Sequence, residues 1–294
     1  MDSTATYYDR LSRWTAVARV LGYGGGRGTL TVHRALADPR ADGRPTMGRL
    51  HDLLVDALPA LVQPRVLDAG CGLGGTMIDL ARRVGGTYVG LTLSDRQAAT
   101  GRRAAREAGL ASTIQILVGS YDHPPEGPFD LIVAIESLAH SADPAVSLAA
   151  LRARLAPGGG CIAIVDDMPL EGSAGAASGS SEPAANDLAI FKRGWRLPVL
   201  WPRARFVAAL AALGLEVTVD RDLSADIRPR TASRIRQLML VNRAARALVP
   251  SAAVQAMLDS YHGGLALERL YRQRRIEYRL IVAREPGNPR RPAV

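Results

Sequence analysis

Residues 66–75 (VLDAGCGLGG) combine a short apolar run, an acid and four glycines. An apolar strand that ends in Asp68 and is followed by glycines can turn sharply into a helix while its backbone closes on a ligand. Gly70, Gly72 and Gly75 also satisfy the G-x-G-x-x-G spacing that is typical of dinucleotide-binding loops. The stretch therefore predicts a cofactor-binding loop and leaves two ligands open, a dinucleotide and S-adenosylmethionine.

The second predicted strand runs into residues 90–97 (GLTLSDRQ), which help to separate these ligands. A dinucleotide-binding unit places an acid there, about 20 residues past the glycines, to accept from the ribose hydroxyls. Neutral Thr92, Ser94 and Gln97 stand at that point instead. The sequence therefore favours S-adenosylmethionine.

Two adjacent carboxylates, Asp166 and Asp167, end a later predicted strand. Hard carboxylates of this kind can hold a magnesium ion that orients a catechol, so a magnesium-dependent O-methyltransferase stays an alternative. The five histidines do not cluster, and the usual neighbouring asparagine is missing. We therefore expect no metal.

The elements that position these residues alternate from residue 65 onward. Apolar runs at RVLDAG, TYVGL, IQILV, FDLIVAI and CIAIVD predict strands, and the segments 76–83, 95–108 and 144–155 predict helices. This order predicts a doubly wound, mostly parallel α/β sheet. Ligands of such sheets bind beyond the carboxyl ends of the strands, where the loops above gather.

The flanking regions predict a lid and a cap around this core. We expect N-terminal lid helices over 1–60, the cofactor-binding core over 61–168, cap helices and closing strands of the same domain over 169–285, and a flexible tail over 286–294. Within the cap, helices are predicted over 202–213, 232–249 and 251–271, and LEVTVD and IEYRLIVA read as an antiparallel strand pair. The low-complexity stretch 171–187 is expected to be mobile, either as a gate or as a loop without a role.

Composition limits the class of protein. The chain has 294 residues, 47% of them hydrophobic, without an apolar run of membrane-spanning length or a signal-peptide pattern. We expect a cytoplasmic protein with free thiols at Cys71 and Cys161. The formal charge of +9 comes with dispersed arginines and only 5% aromatic residues, so we expect no nucleic-acid partner and at most peripheral membrane contact. A homodimer stays open.

Three stretches together resemble the class I S-adenosylmethionine-dependent methyltransferases, namely the glycine loop, FDLIVAIESLAH and LAPGGGCIAIVDD. GLTLSDRQ is similar to the cofactor loop of cyclopropane fatty acid synthases and tocopherol methyltransferases. The spacing of Ala134, Ile135, Glu136, His140 and Asp143 resembles the A-I-E-x-x-x-H-x-x-D pattern of sterol C-methyltransferases. The resemblance covers 65–166 well and implies a seven-stranded sheet with the cap inserted before the last strands.

The resemblance also implies which residues hold S-adenosylmethionine. Its expected contacts are Asp68, Gly70, Cys71 and Gly72 at the methionine part, Thr92, Leu93, Ser94 and Gln97 at the ribose, Ser120, Tyr121 and Asp122 at the adenine, and Ile135 beside the cofactor. Around the adenine, SYDH departs from the more usual acidic pattern of the family.

Methyl transfer to a carbon or a protonated amine releases a proton, and Glu136 and His140 are the predicted acid–base residues. Their spacing of four puts them on one face if the segment turns helical. Cyclopropane synthases carry a glutamate before this histidine, which helps to hold a bicarbonate base. Here that position is Ala139, so cyclopropanation is disfavoured.

We predict a hydrophobic or amphiphilic small-molecule acceptor, such as an isoprenoid, a lipid or a specialised metabolite, with C-methylation favoured over N- or O-methylation. The residues expected to contact it are Tyr8, Trp14, Trp195 and Tyr261. A cyclase, or a binding module without catalysis on the same fold, remains an alternative because the glycine loop fixes the cofactor and not the reaction.

Overall fold

The computed structural model describes residues 30–171, 183–249 and 251–286. The described strands are β1 Leu36–Ala37, β2 Pro45–Thr46, β3 Arg65–Ala69, β4 Thr87–Thr92, β5 Ile114–Val118, β6 Leu131–Ile135, β7 Cys161–Pro169, β8 Glu216–Asp222 and β9 Ile276–Arg284. The described helices are α1 Gly48–Ala57, α2 Gly75–Val84, α3 Asp95–Glu107, α4 Pro144–Arg152, α5 Pro183–Trp195, α6 Arg203–Ala212, α7 Ala232–Leu248 and α8 Ala252–Arg272.

Seven strands form one sheet in the order β5-β4-β3-β6-β7-β9-β8. The pairs from β5 to β7 are parallel, and β9 runs antiparallel to both β7 and β8. The chain moves outward from β3 to β5 and then returns to β3's other side as β6. This change of direction creates a crevice between the carboxyl ends of β3 and β6, which is where open α/β sheets bind ligands.

The sheet forms because its central strands are apolar on both faces. Every residue of β7 is buried, and β3 and β6 are buried except for one partly exposed residue each. A core layer lies on each side, one around Tyr278 and Met77 and the other around Phe129 and Trp201. Parallel strands covered on both faces require such continuous apolar runs.

The predicted α/β alternation is confirmed, and most predicted helices begin and end within a few residues of the observed ones. LEVTVD and IEYRLIVA do pair antiparallel, as β8 and β9. The prediction of a mobile stretch through residue 187 was wrong at its end, because α5 begins at Pro183. The short β1–β2 hairpin was not predicted, since two residues per strand are too few to give a period.

Several sequence predictions fall outside the described residues, namely the N-terminal helix, most of 171–187 and the tail. Within the described ranges Cys71 and Cys161 are buried free thiols, as predicted. None of the helices described is both long and apolar enough to cross a membrane.

Candidate functional site

The glycine loop follows β3 and packs directly against its neighbours. Gly70 has φ +116°, and a Cβ there would lie 2.5 Å from the Cβ of Ser137. A Cβ on Gly75 would lie 2.4 Å from the backbone nitrogen of Thr31. Glycine is therefore required at both positions, because the loop is enclosed by the turn after β6 on one side and by residues 30–31 on the other.

A cavity of about 170 Å³ opens between this loop and the end of β6. Its lining includes Gly70 and Gly72 from the loop, together with Phe191, Trp195 and Leu197 from the cap. A smaller adjoining cavity of about 30 Å³ is bordered by Asp68, Cys71 and Thr76. The two share Gly70, so the glycine loop faces both spaces.

Three carboxylates, Glu136, Asp166 and Asp167, line the large cavity opposite the loop, and we call them the acidic wall. Glu136 follows β6, and Asp166 and Asp167 lie in β7 beside it. Burial raises the pKa of Asp166 to about 8, and the charge of Asp167 adds to this effect. Burial also raises the pKa of Asp167. Buried negative charges without nearby cations or hydrogen-bond donors destabilise a fold, so the acidic wall needs such partners.

Arg34 is the main partner of the acidic wall. Its guanidinium forms a hydrogen-bonded ion pair with Asp167, and its backbone N–H donates to Glu136 Oε1 (2.8 Å). Burial disfavours the guanidinium's charge, but Asp167, Tyr271, Glu136 and Tyr278 together outweigh this effect and hold the pKa of Arg34 well above its usual range. The guanidinium also lies 5.5 Å and 5.4 Å from the ring centroids of Tyr271 and Tyr278. Two carboxylates and two aromatic rings thus hold one cation.

Two tyrosine hydroxyls complete the wall from distant parts of the chain. Tyr278, in β9, donates to Glu136 Oε1 (2.8 Å). Tyr271, in α8, donates to Asp167 Oδ1. Both donors to the Glu136 carboxylate thus bind the same oxygen, Oε1, and fix the side chain at the cavity lining.

The backbone of Glu136 is in the left-handed region, with φ +49°. A non-glycine residue held there costs about 1–3 kcal/mol, and such residues concentrate at functional sites. The conformation is fixed by the Glu136 N–H, which donates to the Val165 carbonyl (2.7 Å), and by the two bonds to its carboxylate. The strained backbone at Glu136 therefore lowers the stability of the fold and fixes the position of this side chain.

A chain of hydrogen bonds leads from the cavity to the surface through two buried histidines. His33 Nδ1 lies 2.9 Å from the Arg34 carbonyl and must donate to it, because a carbonyl only accepts. Burial, with the nearby His51, lowers the pKa of His33 to about 4, so we assign a neutral ring whose Nε2 accepts from His51 Nε2 (2.8 Å). His51 Nδ1 donates to Asp79 Oδ2 (2.6 Å). Both nitrogens of His33 are thus engaged, and this cavity-lining histidine is not available as a base.

His140 lies at the end of the short 3₁₀ turn Leu138–His140 and lines the cavity with Glu136. Burial lowers the pKa of His140 to about 4, although Glu136 opposes the shift. The ring is neutral at physiological pH. Glu136 and His140 are therefore brought together as predicted, but through a left-handed residue and a 3₁₀ turn and not on one face of an α-helix.

The structure brings most of the predicted site residues to these cavities. The large cavity is lined by Gly70, Gly72, Thr92, Leu93, Gln97, Tyr121, Ile135, Glu136, His140 and Trp195. Asp68 and Cys71 border the small one. Thr92 donates to Gln97 Oε1 (2.7 Å), which holds the two predicted ribose neighbours side by side.

Four predicted contacts line neither cavity. Ser94 is fully buried and caps α3 by accepting from the Gln97 N–H, so it positions Gln97. The carboxylate of Asp122 accepts from the hydroxyl of Ser120 in its own loop and from that of Ser147 in α4. Tyr261 lies on α8 away from both linings. Tyr8 and Trp14 lie outside the described residues.

Sequence reasoning missed Arg34, Tyr271 and Tyr278. Tyr271 and Tyr278 stand among charged residues, and Arg34 follows His33, so no local pattern distinguishes these three from their neighbours. The available signal was indirect. Asp166 and Asp167 follow each other in a buried strand, and buried carboxylates require donors from elsewhere in the chain.

The buried hydroxyl of Ser137 has no hydrogen-bond partner among the residues that the structure describes. It lies beside Gly70 on the cavity lining. Buried polar atoms are normally satisfied, so an unpaired one at a cavity indicates a place where a polar ligand fits. Together with the glycine loop at the switch point of the sheet, this defines a nucleotide-like cofactor site on the class I methyltransferase fold.

Comparison with known proteins identifies the same class. Residues 66–159 match a family described as a methyltransferase domain. The chain is 39% identical over 95 residues to a probable tocopherol O-methyltransferase of Oryza sativa subsp. japonica, a match that covers 32% of this chain and 26% of that protein. The matched segment thus spans about a quarter of that relative's length.

Solved structures extend the likeness in fold to nearly the whole chain. Geranyl diphosphate C-methyltransferase from Streptomyces coelicolor A3(2) matches with a TM-score of 0.68 and 21% identity, covering 96% of both chains. The 4+2 cyclase SpnF matches with a TM-score of 0.70 and 21% identity, covering 97% of this chain and 95% of its own. Residues 66–159 thus match a methyltransferase domain, and the whole chain shares the fold of class I methyltransferases, a fold that carries more than one kind of chemistry.

Proposed function

We propose that the protein binds S-adenosylmethionine and transfers its methyl group to a hydrophobic or amphiphilic small molecule. The observation that carries this proposal is one cavity, lined by Gly70 and Gly72 on one side and by the acidic wall on the other. When bound, the cofactor supplies a sulfonium methyl group, which is a strong electrophile. The protein's task is then to hold an acceptor in line and to exclude water.

The loop end of the cavity fits the cofactor. Asp68 would hold the amino-acid end from the small cavity, where burial raises the pKa of its carboxyl to about 7. An approaching ammonium group would favour the ionised form of that carboxyl. Thr92 and Gln97 would face the ribose, and the unpaired Ser137 hydroxyl is placed to donate to the ligand.

The acidic wall favours an acceptor that becomes positively charged or loses a proton during transfer. Glu136 lines the cavity and two donors fix its Oε1, so this carboxylate can take a proton or stabilise a cation in a defined position. Both cases favour C-methylation of an alkene or methylation of an amine. Phe191, Trp195 and Leu197 supply an apolar opposite wall for such an acceptor.

Substitution of Glu136 tests this function. Glu136→Gln is expected to lower transfer of radiolabelled methyl from S-adenosylmethionine by about 100-fold or more, the size of an acid–base contribution. The acceptors would be a panel of prenyl, sterol and amine compounds. By calorimetry the variant should keep its affinity for S-adenosylmethionine within about twofold, because the loop makes the cofactor contacts.

The exposed Glu107→Gln serves as the matched control and should change neither quantity. Loss of cofactor binding by a folded Glu136→Gln protein would show that Glu136 is a cofactor contact instead. Tight binding of NAD by the wild-type protein, with no response to S-adenosylmethionine, would overturn the proposal.

A cyclase or binding module is the second candidate, and the whole-chain likeness to SpnF supports keeping it. It predicts tight S-adenosylmethionine binding without any label transfer to the panel, even with the wild-type protein. A magnesium-dependent O-methyltransferase is less well supported, because both oxygens of Asp167 are already engaged by Arg34 and Tyr271. That alternative predicts activity that is lost with a chelator and restored by Mg²⁺.

A further inference from the structure

Helix α7 presents an apolar stripe to solvent along its C-terminal half, residues 240–248. Only Ile235 and Asn242 are buried, whereas Leu240, Val241 and Leu248 are 68%, 62% and 81% exposed. At about 100° per residue these three side chains and the exposed Ala244 fall within one sector of roughly 100°, opposite Ile235. A surface helix ordinarily places polar residues on the face that points to solvent. Packing within this chain therefore does not explain the apolar residues on that face of α7.

Arginines flank the stripe on both sides. Arg236 and Arg243 lie along one edge and Arg234 along the other, and all three are exposed. The sequence of α7, ASRIRQLMLVNRAARAL, contains no acid. Arg234 donates to Gln237 (2.9 Å), and neither Arg236 nor Arg243 forms an ion pair with any residue in the described ranges. The face is therefore both apolar and strongly positive.

We infer that this face of α7 docks on an anionic phospholipid surface. Aliphatic side chains framed by arginines match the boundary between acyl chains and phosphate groups, where the guanidinium groups reach the phosphates while the apolar face enters the bilayer. Charge argues against a second copy as the occupant. A two-fold contact through the stripe would bring the arginine rows of both copies together without acids to balance them.

Together with the proposed methyl transfer, on which this step rests, the position of α7 gives the docking a use. Asn242 Nδ2 donates to the Leu258 carbonyl of α8 (3.1 Å). Helix α8 in turn lies close against α5, where a Cβ on Gly263 would be 2.8 Å from Trp195. Trp195 lines the large cavity. The lipid-facing helix is thus one helix away from the wall that would hold a hydrophobic acceptor.

Vesicle sedimentation with the full chain tests the docking without any cofactor or acceptor, so its outcome is independent of the methyl-transfer assay. We expect the protein to sediment with vesicles of phosphatidylcholine and phosphatidylglycerol in equal parts and to stay in solution with phosphatidylcholine alone. The double variant Arg236→Gln/Arg243→Gln should bind about tenfold more weakly, since each basic residue near an anionic surface contributes to attraction. Leu240→Asp/Leu248→Asp should abolish binding.

Matched controls lie on other helices. Arg82→Gln/Arg106→Gln removes the same charge from exposed sites, and Val146→Asp places an acid on an exposed apolar residue of α4; both should bind as the wild type does. Equal binding to neutral and anionic vesicles, or binding that the α7 variants leave unchanged, would overturn the inference. So would light scattering that shows a dimer dissolved by Leu240→Asp/Leu248→Asp, because the stripe would then be an interface between copies.

Discussion

The two ends of the large cavity are built in different ways. The loop end is made from one continuous stretch, 68–75, whose glycines allow the backbone itself to form the surface. The acidic wall is made of side chains that are far apart in sequence, and one of its hydrogen bonds joins Tyr278 to Glu136 across 142 residues. A short stretch of sequence is enough to specify a backbone that lies close to a ligand. A carboxylate that is held in place needs hydrogen-bond donors that reach it only when the whole sheet has formed.

This contrast predicts the largest effect for a change that fills the loop end. Gly70→Ala should weaken S-adenosylmethionine binding by more than about 100-fold, because the added Cβ would lie 2.5 Å from Ser137 Cβ and the φ of +116° is unfavourable to alanine. Calorimetric titration measures this loss.

Gly158→Ala is the control for the backbone conformation. Gly158 also has a positive φ, +73°, but a Cβ there meets nothing within 4 Å. It should keep wild-type cofactor affinity. If both variants bind equally well, the loop end does not close on the cofactor as the contrast requires.

A change at the other end should separate turnover from cofactor binding. Tyr278→Phe removes one of the two donors to Glu136 Oε1, and we expect methyl transfer to fall about tenfold, the worth of one such bond. Cofactor affinity should stay within about twofold. Tyr88→Phe, at a buried tyrosine in β4 that lines neither cavity, is the control. An equal loss of cofactor affinity in Tyr278→Phe would mean that the two ends are not independent.

His51 provides a way to disturb both ends together. It holds His33, whose neighbours Thr31 and Arg34 touch the glycine loop and the acidic wall. His51→Gln should raise the dissociation constant for S-adenosylmethionine and lower turnover by similar factors of about five, since one buried hydrogen bond is lost or weakened. Asp52→Asn, which alters only the arginine contacts nearer the surface, should leave both values unchanged.

The smallest expected effect is the one that His140 has on stability. Above pH 6.5 its ring is neutral in the folded and unfolded chains. As the pH falls from 6.5 towards the folded pKa of about 4, only the unfolded chain takes up the proton, so stability decreases.

His140→Gln should therefore lose less stability on acidification through this window, by at most about 1.4 kcal/mol per pH unit. Denaturant titrations at several pH values measure the slope. The exposed His123→Gln should follow the wild type. Identical slopes for His140→Gln and the wild type would show that His140 can be protonated in the folded protein.

The sequence was informative where structure follows from short-range patterns. Apolar runs separated by glycine turns predicted the strands of the sheet, and the last two strands were correctly paired. Pro183 shows the limit, since α5 begins within a stretch whose small polar residues favour a loop but whose packing against α8 makes it helical.

At the site, too, short-range patterns were informative and long-range contacts were not predicted. Gly70, Gly72, Thr92, Gln97 and Glu136 all carry a local signal, and all line the cavity. The partners that fix Glu136 do not carry one. Their roles depend on register, since Tyr278 stands opposite Asp167 in the β7–β9 pair, and a register of this kind is set only when both strands are in place.

The place of β9 in the sheet also bears on how the protein is made. This strand follows every other described strand in sequence, yet it lies between β7 and β8, and within the described residues β8 pairs with no other strand. Chains emerge from the ribosome N-terminus first, so the glycine loop and the parallel half of the sheet can form while β7 still has a bare edge. A nascent chain halted before residue 276 would present that apolar edge to its surroundings, which makes it a substrate for chaperones or for strand-to-strand aggregation.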